Sequence, residues 1–355
     1  ITFVYKYLMF ALSNIQMIFD LPNLKIPEIL LPIGISFFTF QALSYVIDVY
    51  RGAGKAQKNI LNVGLYIAFF PQLIAGPIVR YQTIADQITN RRENFDDFSY
   101  GVVRFIVGLS KKVIIANNMA VIADFAFAGS GTNSTLLAWL GALAYTLQIY
   151  FDFSGYSDMA IGLGRMFGFK FLENFNYPYI SKSATEFWRR WHISLGTWFR
   201  DYLYFPLGGN RTKTRLRHVF NLFVVWLATG VWHGANWTFI AWGLMYFVLL
   251  TFEKYSGLFN KESSGFASGA IKYIYAMFFV ICGWVLFRSN DINSAIAYFG
   301  DMFTANNGFI SDGFIEYFRQ YAVYMFVAII AAMPIVPTLK DKLENNKAIS
   351  ILLGI

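Results

Sequence analysis

The chain is poor in charged residues and has a single cysteine. Only 14% of its 355 residues are charged, against about 25% in a typical soluble domain. This shortage excludes an ordinary water-exposed surface and favours a chain that lies in lipid. The one cysteine, Cys282, excludes an intrachain disulfide framework. We expect it to be a small buried apolar side chain, the alternative being a carrier of a thioester-linked acyl group.

Sequence signatures of several enzyme classes are also absent. The chain has no HExxH pair and no Cys/His cluster with metal spacing, so a zinc site is not expected. It has neither a GxxxxGK[ST] nucleotide loop nor the GxSxG elbow of a serine hydrolase. No tightly bound cofactor is therefore expected, and no cleavable signal peptide is visible.

Long apolar runs dominate what is present. The chain is 56% hydrophobic and 19% aromatic, and a membrane-spanning helix needs roughly 20 apolar residues. The sequence therefore predicts an all-α, polytopic transmembrane protein, which we interpret as a single membrane domain over residues 1–355. The predicted membrane segments lie near residues 3–19, 29–50, 60–78, 101–127, 134–167, 219–252, 270–288 and 317–337.

Two of these segments are interrupted by helix-breaking residues. Segment 29–50 contains Pro32 and Gly34, and segment 60–78 contains Pro71. Such breaks are tolerated at membrane depth where protein or water covers the freed backbone groups. They favour broken or re-entrant helices around an internal cavity, the alternative being ordinary proline kinks in plain spans.

Much of the net charge of +8 is concentrated in residues 182–218. This stretch contains eight Lys or Arg residues and two acidic residues, so the positive-inside rule places it on the cytoplasmic side. Its portion from 187 to 205 is also aromatic, which predicts an amphipathic helix in the membrane interface. We attribute the positive charge to membrane topology, and we expect no nucleic acid partner.

One histidine lies between two apolar runs. His233 follows the run 219–231 and precedes the run 238–251. If the first run is helical, its residues rise about 1.5 Å each and bring His233 roughly 20 Å into the apolar layer. An ionisable residue at that depth is costly and indicates a functional site, and a neutral imidazole suits a general base. The alternative is a buried histidine that hydrogen-bonds neighbouring helices.

The basic stretch contains the other two histidines. His192 is either a second functional histidine or a residue packed among interfacial aromatics, whereas His218 ends a basic run and is expected to be a solvated loop residue. Arg189, Arg190 and Arg200 suit the phosphates of coenzyme A or of a phosphopantetheine arm. The alternative for these arginines is attraction to anionic lipid head groups.

Two carboxylates lie within the apolar run that reads YFDFSGYSD at residues 150–158. Inside a membrane, Asp152 and Asp158 should face a cavity or pair with a basic residue. They either orient a histidine or have a structural role at a helix break, and the structural role is favoured.

Six motifs, in order along the chain, resemble the membrane-bound O-acyltransferase family. They are LPIGISFFTFQ at 31–41, FPQLIAGPI at 70–78, ENFNYPYI at 173–180, EFWRRWHISL at 186–195, RDYLYFPLGGNR at 200–211 and WHGANW at 232–237. The resemblance covers nearly the whole chain and is nearest to the bacterial branch that forms the membrane subunit of alginate O-acetylation. It implies a ring of membrane helices around a funnel or tunnel that meets the cytoplasm, with interfacial and re-entrant helices.

The resemblance also implies roles for residues of these motifs. His233 would be the family's essential histidine, and His192 would be its second histidine. For such a reaction, our own hypothesis is that Trp232 and Asn236 shape the pocket or donate a hydrogen bond to the developing oxyanion. A further set would bind substrate or donor and comprises Arg189, Arg190, Asp152, Asp158 and Asn174.

The implied reaction is acyl transfer to a hydroxyl, with acetyl-CoA or another acyl thioester as donor. The chain would lie in the inner membrane of a bacterium as a multi-pass protein. Its partners would be the lipid bilayer, extracytoplasmic acetyltransferase proteins of a polysaccharide-modification complex, and an alginate-like exopolysaccharide as final acceptor. Members of the family carry further spans before and after the matching region, so the resemblance predicts a truncated chain.

Two other functions stay open. A D-alanyl transferase for teichoic acid, supplied by a carrier protein, would have the same fold. A transporter or lipid-handling pore would also have broken helices and buried charge, although we find no inverted repeat.

Overall fold

The computed structural model describes residues 2–73, 76–259, 265–335 and 338. Within these residues the chain is helical and has no strand, which confirms the predicted all-α class. The described helices are α1 (Thr2–Lys6), α2 (Leu8–Ile18), α3 (Ile35–Tyr50), α4 (Ile60–Ala68), α5 (Phe70–Leu73), α6 (Tyr81–Asn90), α7 (Phe95–Ala128), α8 (Thr135–Met166), α9 (Ala184–Arg190), α10 (Ile193–Phe199), α11 (Arg215–His233), α12 (Trp237–Ser256), α13 (Phe266–Arg288), α14 (Ile292–Thr304) and α15 (Asp312–Ala331).

Four described helices are long and apolar enough to cross a membrane. They are α7, α8, α13 and α15, with 34, 32, 23 and 20 residues. At about 1.5 Å per residue, even the shortest extends roughly 30 Å, the thickness of a hydrocarbon core. Each corresponds to one predicted segment, and together they confirm a polytopic helical membrane protein.

Helices α7 and α8 form a hairpin in which their backbones touch at glycines. A Cβ atom on Gly108 would lie 2.5 Å from the carbonyl oxygen of Gly155, and one on Gly101 would lie 2.5 Å from that of Gly162. Small residues are what allow two membrane helices to approach this closely. Helix α8 is therefore largely buried, and it forms one wall of the central chamber described below.

Ion pairs follow the same hairpin. Arg165 of α8 lies 2.6 Å from Asp97 of α7, and Arg104 of α7 lies 2.6 Å from Asp158 of α8. Further along α7, Lys111 also pairs with Asp158. These opposite charges meet between the two helices, which offsets the cost of carrying them into a membrane.

The predicted segment 219–252 is two helices rather than one. Helix α11 ends at His233, and α12 begins at Trp237 after a short extended turn. The turn contains Gly234, where a Cβ atom would lie 2.3 Å from the ring of Phe239. The two helices then run back along each other, so His233 lies at the end of a helix and at the bend of a hairpin.

The two proline-containing segments are broken, as predicted. In segment 29–50, the helix begins only at Ile35, after Gly34 at a φ of 79°. In segment 60–78, α4 ends at Ala68, the extended Phe69 follows, and α5 is a single short turn. Residues 74 and 75 of this segment lie outside the described residues.

The prediction of one amphipathic interfacial helix over residues 187–205 was wrong. Helix α9 ends at Arg190 and α10 begins at Ile193, because His192 between them has a left-handed φ of 45° that no helix continues through. Phe187 and Leu195 are also buried. Most aromatic residues of this stretch, such as Trp191, Trp198 and Tyr202, are buried against other helices, whereas Phe205 is exposed.

The prediction for His218 was also wrong. This residue lies in the first turns of α11 and is buried. Its Nε2 atom lies 2.7 Å from Oη of Tyr204, and its Nδ1 atom lies 2.6 Å from Oη of Tyr255. Two hydrogen bonds with tyrosines replace water around the imidazole, so a basic neighbourhood in sequence did not mean a solvated side chain. Cys282 is buried, as predicted.

Candidate active site

The two remaining histidines line one cavity of about 410 Å³, here called the central chamber. Its walls come from α1, α3, α7, α8, α9, α11, α12 and α13 together with the turn after α9. The lining residues are Lys6, Ser36, Phe37, Lys112, Ile149, Asp152, Phe153, Tyr156, Met159, Trp188, Trp191, His192, Trp232, His233, Trp242, Trp284 and Phe287. Most are aromatic or aliphatic, and the charged side chains among them are Lys6, Lys112 and Asp152.

A second chamber of about 520 Å³ adjoins the first. Trp188 and His192 line both chambers, so they form the wall between them. Arg189 and Arg200 line only the second chamber. The basic residues predicted to meet a phosphate-bearing donor are thus separated from His233 by this shared wall.

His233 is surrounded by aromatic rings. The centre of its imidazole lies 5.0 Å from that of Trp242, 5.1 Å from that of Phe287 and 5.0 Å from that of Trp232. Its Nε2 atom is buried and has no hydrogen-bond partner among the described residues. Buried polar atoms usually have a partner, so one without is a candidate for binding a substrate group.

The orientation of the His192 side chain is determined by the backbone conformation of this residue and by one polar neighbour. The residue is 2% exposed, and its Nδ1 atom lies 3.3 Å from Oδ1 of Asn174. Its Nε2 atom, like that of His233, is buried and unpartnered in the described part of the chain. The left-handed φ of 45° turns the side chain away from the course of α9 and into the chambers.

Asn174 determines which nitrogen of His192 carries the proton. The same Oδ1 atom accepts from the backbone N–H of Ser194 at 3.1 Å and from its hydroxyl at 2.9 Å. A backbone N–H can only donate, so the atom facing His192 is the amide oxygen, and Nδ1 must donate to it. The proton is then on Nδ1, and Nε2 has a free lone pair.

The surroundings of His192 also favour the neutral imidazole. Burial lowers the pKa of His192 well below its usual value of 6.5, and the neighbouring His233 lowers this pKa further. Desolvation disfavours the charged form of a histidine. His192 is therefore a neutral imidazole at physiological pH, with Nε2 able to accept a proton or a hydrogen bond.

Helix α9, which carries Trp188 and Arg189, is fixed by a buried carboxylate. Glu253 of α12 is 2% exposed and accepts the backbone N–H groups of Ala184 at 2.6 Å and of Thr185 at 2.8 Å. A carboxylate at a helix N-terminus accepts hydrogen bonds from the free N–H groups and interacts favourably with the helix dipole. The wall between the chambers is thus tied to the hairpin that carries His233.

Two more predicted site residues line the central chamber. Trp232 lines it beside His233, and its indole Nε1 atom is buried without a partner among the described residues. Asp152 also lines it, in an ion pair with Lys112. About 45% of each of these two charged side chains is exposed, so this end of the chamber is its more open end.

Besides Asn174, three predicted site residues line neither chamber. Arg190 bonds Glu186 at 2.9 Å and the carbonyl of Asn176 at 3.2 Å. Asp158 accepts from Arg104 and Lys111 in the α7–α8 hairpin.

Asn236 is the third. Its side-chain oxygen caps α12 by accepting from Thr238 N at 3.0 Å, and its amide nitrogen donates to the carbonyl of Asn290 at 2.6 Å. Both ends of the amide are thus engaged within the protein, and Asn236 does not line the chamber beside His233.

Sequence reasoning missed several lining residues, Lys6 above all. Lys6 lines the central chamber from α1. A signal was available, because this lysine stands alone in the apolar run 2–12. The tryptophans at 188, 191, 242 and 284 were also missed, since tryptophan in an apolar stretch does not indicate a cavity wall by itself.

These features define a helical membrane protein in which two histidines, each with a buried Nε2 atom, meet at an internal chamber. The model of the family described as MBOAT, membrane-bound O-acyltransferase family, matches residues 53–296. The matched region includes both histidines. The chain belongs to this family.

Curated relatives give the same result. The chain is 48% identical over 311 residues to the probable alginate O-acetylase AlgI of Pseudomonas putida, covering 87% of this chain and 63% of the relative. It is 36% identical to the peptidoglycan O-acetyltransferase of Helicobacter pylori, covering 82% and 60%. It is 31% identical to the teichoic acid D-alanyltransferase of Bacillus subtilis, covering 74% and 69%. The chain thus spans somewhat less than two thirds of the first two relatives.

Proposed function

We propose that this protein is a membrane O-acetyltransferase that moves an acetyl group from a cytoplasmic acyl thioester toward hydroxyls of an extracytoplasmic, alginate-like polysaccharide. The observation that carries the proposal is the pair of histidines at one chamber, each with a buried Nε2 atom that has no partner among the described residues. The relative at 48% identity, named as a probable alginate O-acetylase, supports both the acetyl group and the class of acceptor.

In the proposed reaction, His233 is the general base. Its Nε2 atom takes the proton of the acceptor hydroxyl while the hydroxyl oxygen attacks the thioester carbonyl carbon. The tetrahedral oxyanion then collapses, the carbon–sulfur bond breaks, and the leaving thiolate takes the proton from the imidazolium. The products are an acetyl ester and a free thiol. General base catalysis of this kind contributes about 10²–10⁴-fold to the rate.

The donor would occupy the second chamber. Arg189 and Arg200 there can bind the phosphates of coenzyme A by charge-assisted hydrogen bonds. The acetyl thioester would reach His233 past the wall formed by Trp188 and His192. Because its Nδ1–H donates to Asn174, the Nε2 atom of His192 would be free to accept a hydrogen bond. The partner would be the hydroxyl that receives the acetyl group or a group of the acyl donor.

The aromatic walls have a chemical purpose in this scheme. Trp242, Phe287 and Trp284 form an apolar wall of the chamber beside His233, so a bound acyl group would lie against rings rather than against water. Excluding water strengthens electrostatic interactions inside the chamber and limits hydrolysis of the thioester. We place the protein in the inner membrane of a bacterium, with extracytoplasmic acetyltransferase proteins as partners that pass acetyl groups to the polysaccharide.

The test uses an alginate-producing strain of Pseudomonas putida whose own alginate O-acetylase gene is deleted. The gene for this protein, or its His233→Ala variant, is introduced, and the acetyl content of the secreted alginate is measured. We expect the unchanged protein to restore acetylation and His233→Ala to restore none, at equal protein levels. Full acetylation by His233→Ala would contradict the assignment of the base.

A second candidate, D-alanyl transfer to teichoic acid, is favoured by the 31% identity to a teichoic acid D-alanyltransferase. It differs in the acyl group and in the carrier that delivers it. Incorporation of labelled D-alanine into teichoic acid, in a Bacillus subtilis strain lacking its own transferase, distinguishes the two. Restoration by this chain would favour the alanyl reaction.

A further inference from the structure

Lys6 lines the central chamber as a cation with neutral partners. Its Nζ atom donates to Oγ of Ser36 at 2.8 Å and to the backbone carbonyl oxygen of Trp232. None of the ion pairs formed among the described residues involves Lys6. The other lysine of the chamber, Lys112, is paired with Asp152.

An ammonium group in such surroundings is costly. Moving a charge away from water costs several kcal/mol when no opposite charge compensates it, and inside a membrane such a group indicates a functional site. An ammonium has three N–H donors. Ser36 and Trp232 take two of them, which leaves one donor and most of the positive charge for a group that enters the chamber.

The charge lies next to the proposed base. Lys6 binds the carbonyl of Trp232, the residue immediately before His233. Its Nζ atom is 5.3 Å from the centre of the Trp232 ring, and that ring is 5.0 Å from the imidazole of His233. The cation, the unpartnered indole N–H of Trp232 and the imidazole thus surround one corner of the chamber.

We infer that Lys6 stabilises the oxyanion that forms when the acceptor oxygen attacks the thioester. The inference rests on the proposed acyl transfer, in which negative charge develops on the carbonyl oxygen beside His233. A preorganised cation or donor aimed at that charge is worth about 10²–10³-fold in kcat. Trp232 Nε1 is the second donor available there, whereas Asn236 is engaged with Thr238 and Asn290.

A purely structural role makes a different prediction. Lys6 and Tyr7 together bind the last carbonyls of α11, since Oη of Tyr7 donates to the carbonyl of Val231 at 3.0 Å. If Lys6 only holds this helix end, any donor at its position should suffice, and loss of the Tyr7 bond should have a comparable effect. If Lys6 stabilises an oxyanion, the charge itself is required.

The experiment compares three variants in membranes from the Pseudomonas putida strain described above. Lys6→Gln keeps an N–H donor for the Trp232 carbonyl and removes the charge, Lys6→Arg keeps the charge, and Tyr7→Phe removes only the neighbouring bond. Membranes receive radiolabelled acetyl-CoA, and label in precipitated alginate gives kcat and KM per amount of protein, which is quantified by immunoblot.

We expect Lys6→Gln to lower kcat by about 10²–10³-fold with little change in the KM for acetyl-CoA. Lys6→Arg should recover part of this loss, and Tyr7→Phe should remain within about threefold of the unchanged protein, because its bond is uncharged. Wild-type kcat in Lys6→Gln, or an equal loss in Tyr7→Phe, would overturn the role of Lys6. Absence of transfer by the unchanged protein would instead count against the proposed function.

Discussion

Oδ1 of Asn174 accepts at once from Nδ1 of His192, at 3.3 Å, and from the backbone and hydroxyl of Ser194. Asn174 precedes His192 by 18 residues in sequence, and its side chain contacts the break between α9 and α10. One amide oxygen therefore fixes both the position of the second histidine and the nitrogen that carries its proton. Asn174 itself is fully buried.

Replacing Asn174 by Leu should lower acetyl transfer by about 10- to 100-fold, the range found at metal sites when the group that orients a histidine ligand is lost. His192 Nδ1 and Ser194 N would lose their acceptor, each at a cost of about 1–3 kcal/mol. Asn176→Ala is the matched control, because Asn176 is exposed and bonds Arg190 only through its backbone N–H and carbonyl. Equal kcat in the two variants would contradict the role of Asn174.

The two neighbouring arginines should behave differently toward the donor. Arg189 lines the second chamber, whereas Arg190 is paired with Glu186 on the same helix. We expect Arg189→Ala to raise the KM for acetyl-CoA by about 10-fold, since a hydrogen bond between charged groups is worth about 1.5–3 kcal/mol. Arg190→Ala should leave this KM within about twofold. Initial rates against acetyl-CoA concentration measure both, and a larger effect of Arg190→Ala would contradict the assignment of the second chamber.

Asn236 should matter for stability and little for chemistry. Its side chain caps α12, and removing such a cap costs about 1 kcal/mol. We expect Asn236→Ala to lower the Tm of the purified protein while kcat per folded molecule changes less than threefold. Ser311→Ala, which removes the cap of the distant α15, should lower Tm by a similar amount. A kcat loss near 10²-fold in Asn236→Ala alone would restore Asn236 as an oxyanion donor.

Glycine at the α7–α8 contact should be indispensable. Gly108→Ala would place a methyl group 2.5 Å from the carbonyl oxygen of Gly155, and overpacking of this kind costs about 1–3 kcal/mol. Gly300 lies within α14 with nothing near its Cβ position. Gly300→Ala should therefore raise stability by about 0.5–1 kcal/mol through helix propensity. Thermal unfolding in detergent tests the opposite signs, and a stabilised Gly108→Ala would refute close packing at this contact.

Sequence patterns predicted the parts of the fold that depend on local composition. Long apolar runs predicted the four helices that can cross a membrane, and Pro and Gly predicted the breaks before α3 and after α4. The left-handed break at His192 could not be predicted, because its φ of 45° is imposed by contacts with the α8 and α11 region rather than by its own residue type.

The sequence predicted the histidine of the candidate site, His233, but few of the residues around it. His233 stood out because an ionisable residue between two apolar runs is rare. Its relation to Lys6 depends on contact between residues 226 positions apart, which no local pattern encodes. Local patterns also misjudged Asn236 and Arg190. Their residue types suit a catalytic or phosphate-binding role, but their side chains form hydrogen bonds with other residues of the protein.

The paired charges of α7 and α8 also bear on how the protein is made. Arg104 and Lys111 on α7 both pair with Asp158 on α8, and only six residues, 129–134, join the two helices. Either helix released alone into lipid would carry unpaired charge at a cost of several kcal/mol. The two should therefore leave the insertion machinery together, as a preassembled hairpin, during synthesis of the chain.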